Sequence, residues 1–382
     1  YSPGSLRPET ARALYGAELH FSSSRIDVLA GCRFAHFLQY GLRAQEREPA
    51  EFDSRFYGTF VHDVLEHVVQ QTEREGGFAA VPRSRVQELA QERMEQNAQT
   101  LLETFPDSGR TGYLLRRTFD EVTQVVDELY DELSVSAFRP KFCELEFSAR
   151  GALPGVAFAG ERCRGVVEGF VDRVDVWQSG GRPYVRVVDY KTGKKSFDYT
   201  NVLHGRGLQM LLYLFALVRQ GGHLLHGEPL PAGVLYFPAR IERVSVRDRL
   251  AQAEIEKERR KQLRRSGVLL NSDPVLEAME PCGGSPRFLP YALDKEGRKT
   301  GDLASFVQLA QLERFVFRTV AALGDELADG RIDPDPCIRD AKDSACAFCP
   351  YSEVCAGHEQ PRWLKKITAE EFWQTLERRE HG

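Results

Sequence analysis

The sequence of 382 residues predicts an α/β protein, with a mixed β-sheet flanked by helices and a helical N-terminal part. The first third has the apolar spacing of amphipathic helices, and the middle has short runs of β-branched and aromatic residues between glycines and prolines. Four of the eight cysteines lie after residue 336. We therefore expect three regions: a helical region over 1–140, a core containing the sheet over 141–330, and a cysteine loop with a tail over 331–382.

The predicted elements follow from apolar periodicity and from the residues that begin and end each run. Residues 1–20 are expected to be irregular, and helices are expected over 22–41, 56–76, 83–105 and 113–135. Strands are predicted at 142–147, 166–177, 184–190 and 232–238, with an apolar helix at 205–219. Residues 240–265 contain ten Lys or Arg and five Asp or Glu, which indicates an exposed basic helix. Residues 281–301 are expected to be irregular, and 302–329 to form a long helix.

Composition limits the functional classes. The net charge is −5, whereas a protein that only coats nucleic acid is usually basic, so any DNA contact must come from local basic patches. No apolar run is long enough for a membrane span, and the N-terminus lacks the layout of a signal peptide. Because the chain starts at Tyr1, we expect it to be part of a longer, cytoplasmic protein. A disulfide scaffold is not expected in so large a chain without a secretory signal.

Acidic residues and a lysine end two neighbouring predicted strands. The first strand contains Asp172 and Asp175, and the second contains Asp189 and Lys191 two residues apart, on one strand face. Carboxylate oxygens hold Mg²⁺ for phosphodiester hydrolysis, and an adjacent lysine can stabilise developing charge. Alone, the Asp189–Lys191 pair fits a catalytic site or a surface ion pair equally well. Asp175 is expected to form a salt bridge with Arg173 or with a neighbouring strand.

Two predicted helices add polar residues at helical spacing. His62 and Glu66 are four residues apart on one helix face, as are Gln209 and Tyr213 on an otherwise apolar helix. A single helical histidine is usually a packing residue. Buried polar groups need partners, and a DNA backbone or a catalytic acid would serve for Gln209 and Tyr213.

Taken in order, these motifs resemble the RecB-type branch of the PD-(D/E)XK nuclease superfamily. The matching segments are Gly58-Thr59-Phe60-Val61-His62, Gly169-x-x-Asp172-Arg173-Val174-Asp175, Asp189-Tyr190-Lys191-Thr192-Gly193 and Gln209-x-x-x-Tyr213. The resemblance implies a restriction-endonuclease-like sheet and a Mg²⁺- or Mn²⁺-dependent deoxyribonuclease. It implies His62, Asp172, Asp189 and the Tyr190 carbonyl as metal ligands, and Lys191 as the catalytic lysine. It also implies that Gln209 and Tyr213 help to position DNA and the site.

The C-terminal cysteines form a C-x₂-C-x₅-C motif of Cys346, Cys349 and Cys355. Four thiolates suit Zn²⁺ or an iron–sulfur cluster, and either Cys32 or Cys337 could be the fourth ligand. The resemblance implies a [4Fe–4S] cluster that includes Cys32. Such a cluster would join the two ends of the chain, an arrangement called here the iron–sulfur clasp. The isolated residues Cys143, Cys163 and Cys282 are expected to be inert.

Nearly the whole chain resembles the nuclease regions of AddB-type subunits of bacterial AddAB helicase–nucleases. One departure is Arg33-Phe34, where that family usually has Pro-Phe. The resemblance implies single-stranded DNA as substrate, cleavage of the 5′-ended strand, an AddA-like partner and a role in processing double-strand breaks for recombination. The alternatives are a stand-alone RecB-like iron–sulfur nuclease of CRISPR spacer acquisition and a DNA-clamping module that does not cut. In each, the basic 240–265 segment either contacts phosphates or is a solvated charged helix.

Overall fold

A computed structural model of the chain describes residues 4–44, 54–104, 109–193, 196–241, 252–355, 357 and 361–381. Eight of its strands form one mixed sheet: β1 (Leu19–Ser22), β2 (Arg139–Phe147), β3 (Val156–Ala159), β4 (Arg164–Ser179), β5 (Arg182–Lys191), β6 (Leu230–Pro238), β7 (Ser266–Leu270) and β10 (Leu303–Ala304). Their order is β1-β4-β5-β6-β7-β10, and β2 and β3 also pair with β4. The predicted mixed α/β fold is confirmed.

Helices flank the sheet. They are α1 (Pro8–Tyr15), α2 (Ser23–Gly31), α3 (Arg33–His36), α4 (Ser54–Arg74), α5 (Arg83–Thr104), α6 (Gly109–Leu133), α7 (Tyr199–Leu203), α8 (Gln209–Gln220), α9 (Gly222–Leu225), α10 (Gln252–Leu263), α11 (Asp273–Met279), α12 (Phe306–Ala328) and α13 (Ala369–His381), with a π-helix at Phe37–Gly41. Two small sheets pair β8 (Tyr291–Leu293) with β9 (Lys299–Gly301), and β11 (Cys337–Ile338) with β12 (Arg362–Trp363). Among the helices of the described residues, none has both the length and the apolar character that a membrane crossing needs.

The core lies where α4 and α8 pack on the sheet. Val61, Val64 and Leu65 of α4 are fully buried, as the apolar spacing of an amphipathic helix predicts. The helix α8 packs on β5 and β6 and is buried almost throughout, which explains why its sequence is apolar on every face. Both packing contacts fix the ends of β4 and β5, where the predicted site residues lie.

The strand register brings the acidic motifs side by side. The strands β4 and β5 are antiparallel, with Arg173 opposite Val188, so Asp172 and Asp189 are the next residues on adjacent strands. The parallel pairing of β5 with β6 sets Asp189 opposite Tyr236. Two motifs that are separate in sequence thus meet at one place in the sheet.

Several local predictions were wrong. The segment 1–20, expected to be irregular, contains α1 and the start of β1, and β1 pairs in parallel with β4. The single helix predicted over 22–41 is broken at Cys32, whose backbone is extended (φ −162°, ψ 122°). The predicted helix at 205–219 begins only at Gln209, because Gly205 and Gly207 have positive φ angles. The segment 281–301, also expected to be irregular, contains the β8–β9 hairpin. Part of the predicted basic helix, 242–251, lies outside the described residues.

The predicted salt bridge of Asp175 is confirmed. Its two carboxylate oxygens accept from Arg173 Nε and Arg186 Nε, each at 2.8 Å, and all three side chains are fully buried. The network continues from Arg186 to Glu132 of α6 at 2.9 Å. Arg173 also donates to the Tyr190 hydroxyl at 2.9 Å. Because a buried charge without a partner is costly, this network fixes β4 against β5 directly behind the site residues.

Candidate active site

The helix α4 and the ends of β4 and β5 bring the predicted site residues together. The Tyr190 backbone N–H donates to Asp172 Oδ2 at 2.6 Å, and His62 Nδ1 lies 3.5 Å from the same oxygen. His62 Nε2 lies 2.8 Å from the Tyr190 carbonyl oxygen. A carbonyl only accepts hydrogen bonds, so the ring donates through Nε2, and Nδ1 of the neutral ring then has its lone pair facing Asp172. Burial lowers the pKa of His62, which favours this neutral form.

The second strand supplies an acid and a lysine. Asp189 is nearly buried, and Lys191 Nζ lies 2.5 Å from its Oδ2. About a quarter of the Lys191 side chain is exposed (23%), so its ammonium group is held by Asp189 and remains accessible from solvent. The interpretation of this pair as an ordinary ion pair at an exposed strand end is not supported, because Asp189 is only 5% exposed and lies beside Asp172.

Glu144 of β2 belongs to the same cluster, although the sequence analysis did not single it out. Ligand atoms of His62, Glu144 and Asp172 all lie within 4.8 Å of one another. The backbone of Glu144 has a φ of +48°, which is rare for a non-glycine residue and costs on the order of 1–3 kcal/mol. A strained residue with a carboxylate among other acids is typical of a functional position. An acid within a predicted strand, two residues from Glu146, was the only signal in the sequence.

Negative charge dominates the site. Burial and then the neighbouring Asp189 raise the pKa of Asp172 well above its usual value. Burial and then Glu66 raise the pKa of Glu144. Carboxylates held close together away from water repel one another, and among the described residues the only basic side chain paired with them is Lys191. A divalent cation is the ligand that such a set of oxygen donors best accommodates.

Gln209 and Tyr213 contribute to the site indirectly. The Tyr213 ring is 2% exposed and stacks on Phe147, and its hydroxyl donates to the Glu168 carbonyl at 3.4 Å. Burial raises the pKa of Tyr213 to about 12. A Cβ on Gly169 would lie 2.1 Å from the Tyr213 hydroxyl oxygen, which explains why this motif position is glycine. Tyr213 is therefore placed to position β4 rather than to contact DNA. Gln209 is half-buried at the first position of α8, and its amide forms no hydrogen bond with another described residue.

The comparison with known proteins decides the family. The sequence model of the PD-(D/E)XK nuclease superfamily matches residues 20–356. The chain belongs to this superfamily. The match includes every residue of the site described above, together with Cys32 and Cys355.

Curated relatives of this superfamily member are bacterial proteins, each named as one of the subunits of an ATP-dependent helicase/deoxyribonuclease. The one from Moorella thermoacetica is 34% identical over 92% of this chain and 31% of its own length. The one from Caldanaerobacter subterraneus is 31% identical over 91% of this chain and 30% of its own length. The one from Thermoanaerobacter is 29% identical over 96% of this chain and 33% of its own length. The chain thus spans about a third of the length of these relatives.

A second site of this superfamily member is formed by cysteines. Four of them, Cys32, Cys346, Cys349 and Cys355, line one cavity of about 210 Å³. Cys32 lies at the break between α2 and α3, and the others lie in turns of the C-terminal loop. Cys337 does not line the cavity: it is fully buried, and its Sγ lies 3.3 Å from the Ala30 carbonyl oxygen.

The spacing of the sulfurs distinguishes between two kinds of metal site. Within the described residues, the only set of three or more His, Cys, Asp or Glu ligand atoms within 4.8 Å of one another is that of His62, Glu144 and Asp172. No three of the cysteine sulfurs are therefore that close. A single tetrahedral Zn²⁺ with bonds of about 2.3 Å would hold its sulfurs about 3.8 Å apart. Burial raises the pKa of Cys32 to about 11, so this thiol needs a metal partner to ionise.

Arg33, next to Cys32, ties the two ends of the chain together by other means. Its guanidinium pairs with Glu326 of α12 and with Asp335, and its backbone N–H donates to Asp335 Oδ1 at 3.1 Å. The side chain is only 7% exposed. At the position where this chain departs from the Pro-Phe of AddB-type subunits, it thus places a buried cation between two acids.

Proposed function

We propose that this chain is the nuclease part of a bacterial AddAB-type helicase–nuclease and hydrolyses single-stranded DNA with Mg²⁺ or Mn²⁺. The observation that carries the proposal is the convergence of His62, Asp172, Asp189 and Lys191 at one site in a member of a nuclease superfamily. Cleavage of the 5′-ended strand, pairing with an AddA-like subunit, processing of double-strand breaks and a place in the bacterial cytoplasm belong to the same proposal. They are supported by the likeness to the helicase/deoxyribonuclease relatives.

His62, Asp172, Asp189 and the Tyr190 carbonyl would hold the metal ion. The residues fit such an ion because the negative charges of the cluster repel one another and Lys191 is their only basic partner in the described part of the chain. The 2.8 Å between His62 Nε2 and the Tyr190 carbonyl oxygen is close to the roughly 3 Å that separates neighbouring ligands in an octahedral site with bonds of about 2.1 Å. Glu144 is close enough to be a further ligand. When bound, the ion would polarise the phosphate and lower the pKa of a water molecule.

The protein's own residues would supply the rest of the chemistry. Lys191 is held by Asp189 with its ammonium accessible, so it can donate to a phosphate oxygen as negative charge develops there. The Arg173–Asp175–Arg186 network fixes the two strands before substrate binds. Such preorganised charge costs no rearrangement during the reaction.

The cysteine cavity supports a [4Fe–4S] cluster as a structural cofactor. Cys32, Cys346, Cys349 and Cys355 would ligate it, and the position of Cys337 away from the cavity favours Cys32 as the fourth ligand. Sulfurs that line one cavity at distances too large for a single Zn²⁺ are those that a polynuclear cluster needs. The proposed division into regions 1–140, 141–330 and 331–382 stays a prediction.

The test is cleavage of a labelled single-stranded oligonucleotide by the chain and by Lys191→Ala in Mg²⁺. Loss of one group that stabilises transition-state charge should lower kcat about 100-fold to 1,000-fold. Lys295→Ala, which removes an exposed lysine from the turn between β8 and β9, is the matched control and should cut at the normal rate. Wild-type activity in Lys191→Ala would refute the site. Binding without cleavage by the unaltered chain would instead identify a DNA-clamping module.

A further inference from the structure

A second cavity adjoins the proposed catalytic lysine. It has a volume of about 320 Å³ and lies at the ends of β5, β6 and β7, with the end of α10 closing one side. Lys191 forms part of its wall, so the cavity opens directly beside the proposed site of cleavage. Its volume is at the lower end of the roughly 300–1,000 Å³ of small-ligand sites.

The lining of this cavity is cationic. Lys191, Arg240 and Arg264 line it, whereas none of its lining residues is acidic. Arg240 is exposed and lies over the Tyr57 ring, with 5.1 Å from Cζ to the ring centroid, and forms no ion pair with another described residue. Arg264 is oriented by bonds to the carbonyls of Leu289 and Tyr291. A cavity with unneutralised guanidinium groups is suited to a phosphate.

An uncharged group of the cavity lacks a partner. The side-chain oxygen of Gln262, at the end of α10, is buried and accepts no hydrogen bond from another described residue. A carboxamide offers an acceptor and two donors, which are the groups that bind the edge of a nucleobase. The rest of the floor is formed by Tyr236 and Pro238, which are apolar surfaces of the kind on which a sugar or base packs.

We propose that this cavity binds the nucleotide next to the scissile phosphate, with Arg240 contacting its phosphate and Gln262 the edge of its base. The inference rests on the proposed nuclease function and adds a specificity subsite to it. A base inside the cavity cannot also be paired, because its complementary base would occupy the same edge. The subsite therefore supplies a physical reason for a preference for single-stranded DNA.

The experiment measures binding separately from cleavage. Fluorescence anisotropy of a labelled single-stranded oligonucleotide in Ca²⁺ gives Kd over a range of salt concentrations for the chain and for Arg240→Gln. Loss of one charged phosphate contact should weaken binding about tenfold at low salt. It should also lower the slope of log Kd against log salt by about 0.7, the value for one phosphate contact on a single strand.

Two more variants sharpen the result. Arg260→Gln removes the same charge from an exposed position on α10 that does not line the cavity, and it should leave the slope unchanged. Gln262→Ala should weaken binding with the slope unchanged, and an abasic nucleotide in the oligonucleotide should remove the difference between it and the parent chain. The same slope for Arg240→Gln as for the parent chain would overturn the subsite even if the chain cleaves DNA normally. A lowered slope in a chain that does not cleave would support the subsite and refute the nuclease proposal alone.

Discussion

The proposed catalytic site and the proposed cluster site differ in what holds their ligands in place. In the first, neighbouring strands, a backbone bond to Asp172 and the fully buried Arg173–Asp175 pair fix the side chains. In the second, Cys32 comes from a break between two helices, and its partners come from turns near the other end of the chain. The catalytic metal should therefore be dispensable for folding, whereas the cluster should not. The following predictions test this difference.

Loss of a cluster ligand should have the largest effect on stability. Cys32 and Cys346 are 346 − 32 = 314 residues apart, and the entropy of closing such a loop is worth about 5 kcal/mol. Cys32→Ala, Cys346→Ala, Cys349→Ala and Cys355→Ala should each lose iron and fall sharply in Tm, as measured by iron analysis and thermal unfolding. Cys163→Ala and Cys282→Ala should keep both properties. If Cys337→Ala alone removed the iron and Cys32→Ala did not, the fourth ligand would be Cys337.

Arg33→Met separates the cluster from the other contacts of the clasp. It leaves the cysteines in place but removes the buried partner of Glu326 and Asp335. Removing one member of such a buried ionic group should lower the free energy of unfolding by about 3 kcal/mol. Iron content should stay at its normal level. Loss of iron in Arg33→Met would show that the ion pairs and the cluster form one unit, and that the two contributions cannot be separated.

Gly169→Ala probes the packing of the catalytic site. A methyl group there would clash with the Tyr213 hydroxyl, so we expect a loss of about 2 kcal/mol in stability and a lower kcat. Because the next atom of Tyr213 would be 3.3 Å away, Tyr213→Phe should restore part of both properties when combined with Gly169→Ala. Thermal unfolding and single-strand cleavage of the two single variants and the double variant form the cycle. Strictly additive effects would show that this contact does not position β4.

The elements that the sequence predicted best are those with long periodic patterns. The helix α4, the strand β4 and the helix α12 have one buried face over many residues, so their periodicity is visible without tertiary contacts. The strand β1 was missed because it has four residues, and only its pairing with β4 shows it to be a strand. The break at Cys32 was also missed, because the carboxylate that satisfies the Arg33 N–H is 302 residues away.

The candidate site shows the same limit. Asp172, Asp189 and Lys191 could be found because adjacent motifs ended predicted strands, and the structure brings these motifs together. Glu144 could not, because its position depends on the pairing of β2 with β4 and on a backbone angle that a single sequence does not reveal. Tyr213 was expected to need a polar partner. That partner is a backbone carbonyl in the sheet, and no sequence motif identifies a carbonyl.

The most direct measurement is single-strand cleavage by iron-loaded chain in excess EDTA and after Mg²⁺ is restored, with Tm and brown colour recorded in each state. The account predicts no cleavage in EDTA and full recovery with Mg²⁺, while Ca²⁺ restores binding but not cutting. Tm and colour should be the same in all states, because the sheet and the buried ion pairs hold the site without the catalytic metal. Full activity in excess EDTA would contradict the proposal that these carboxylates hold a catalytic metal ion.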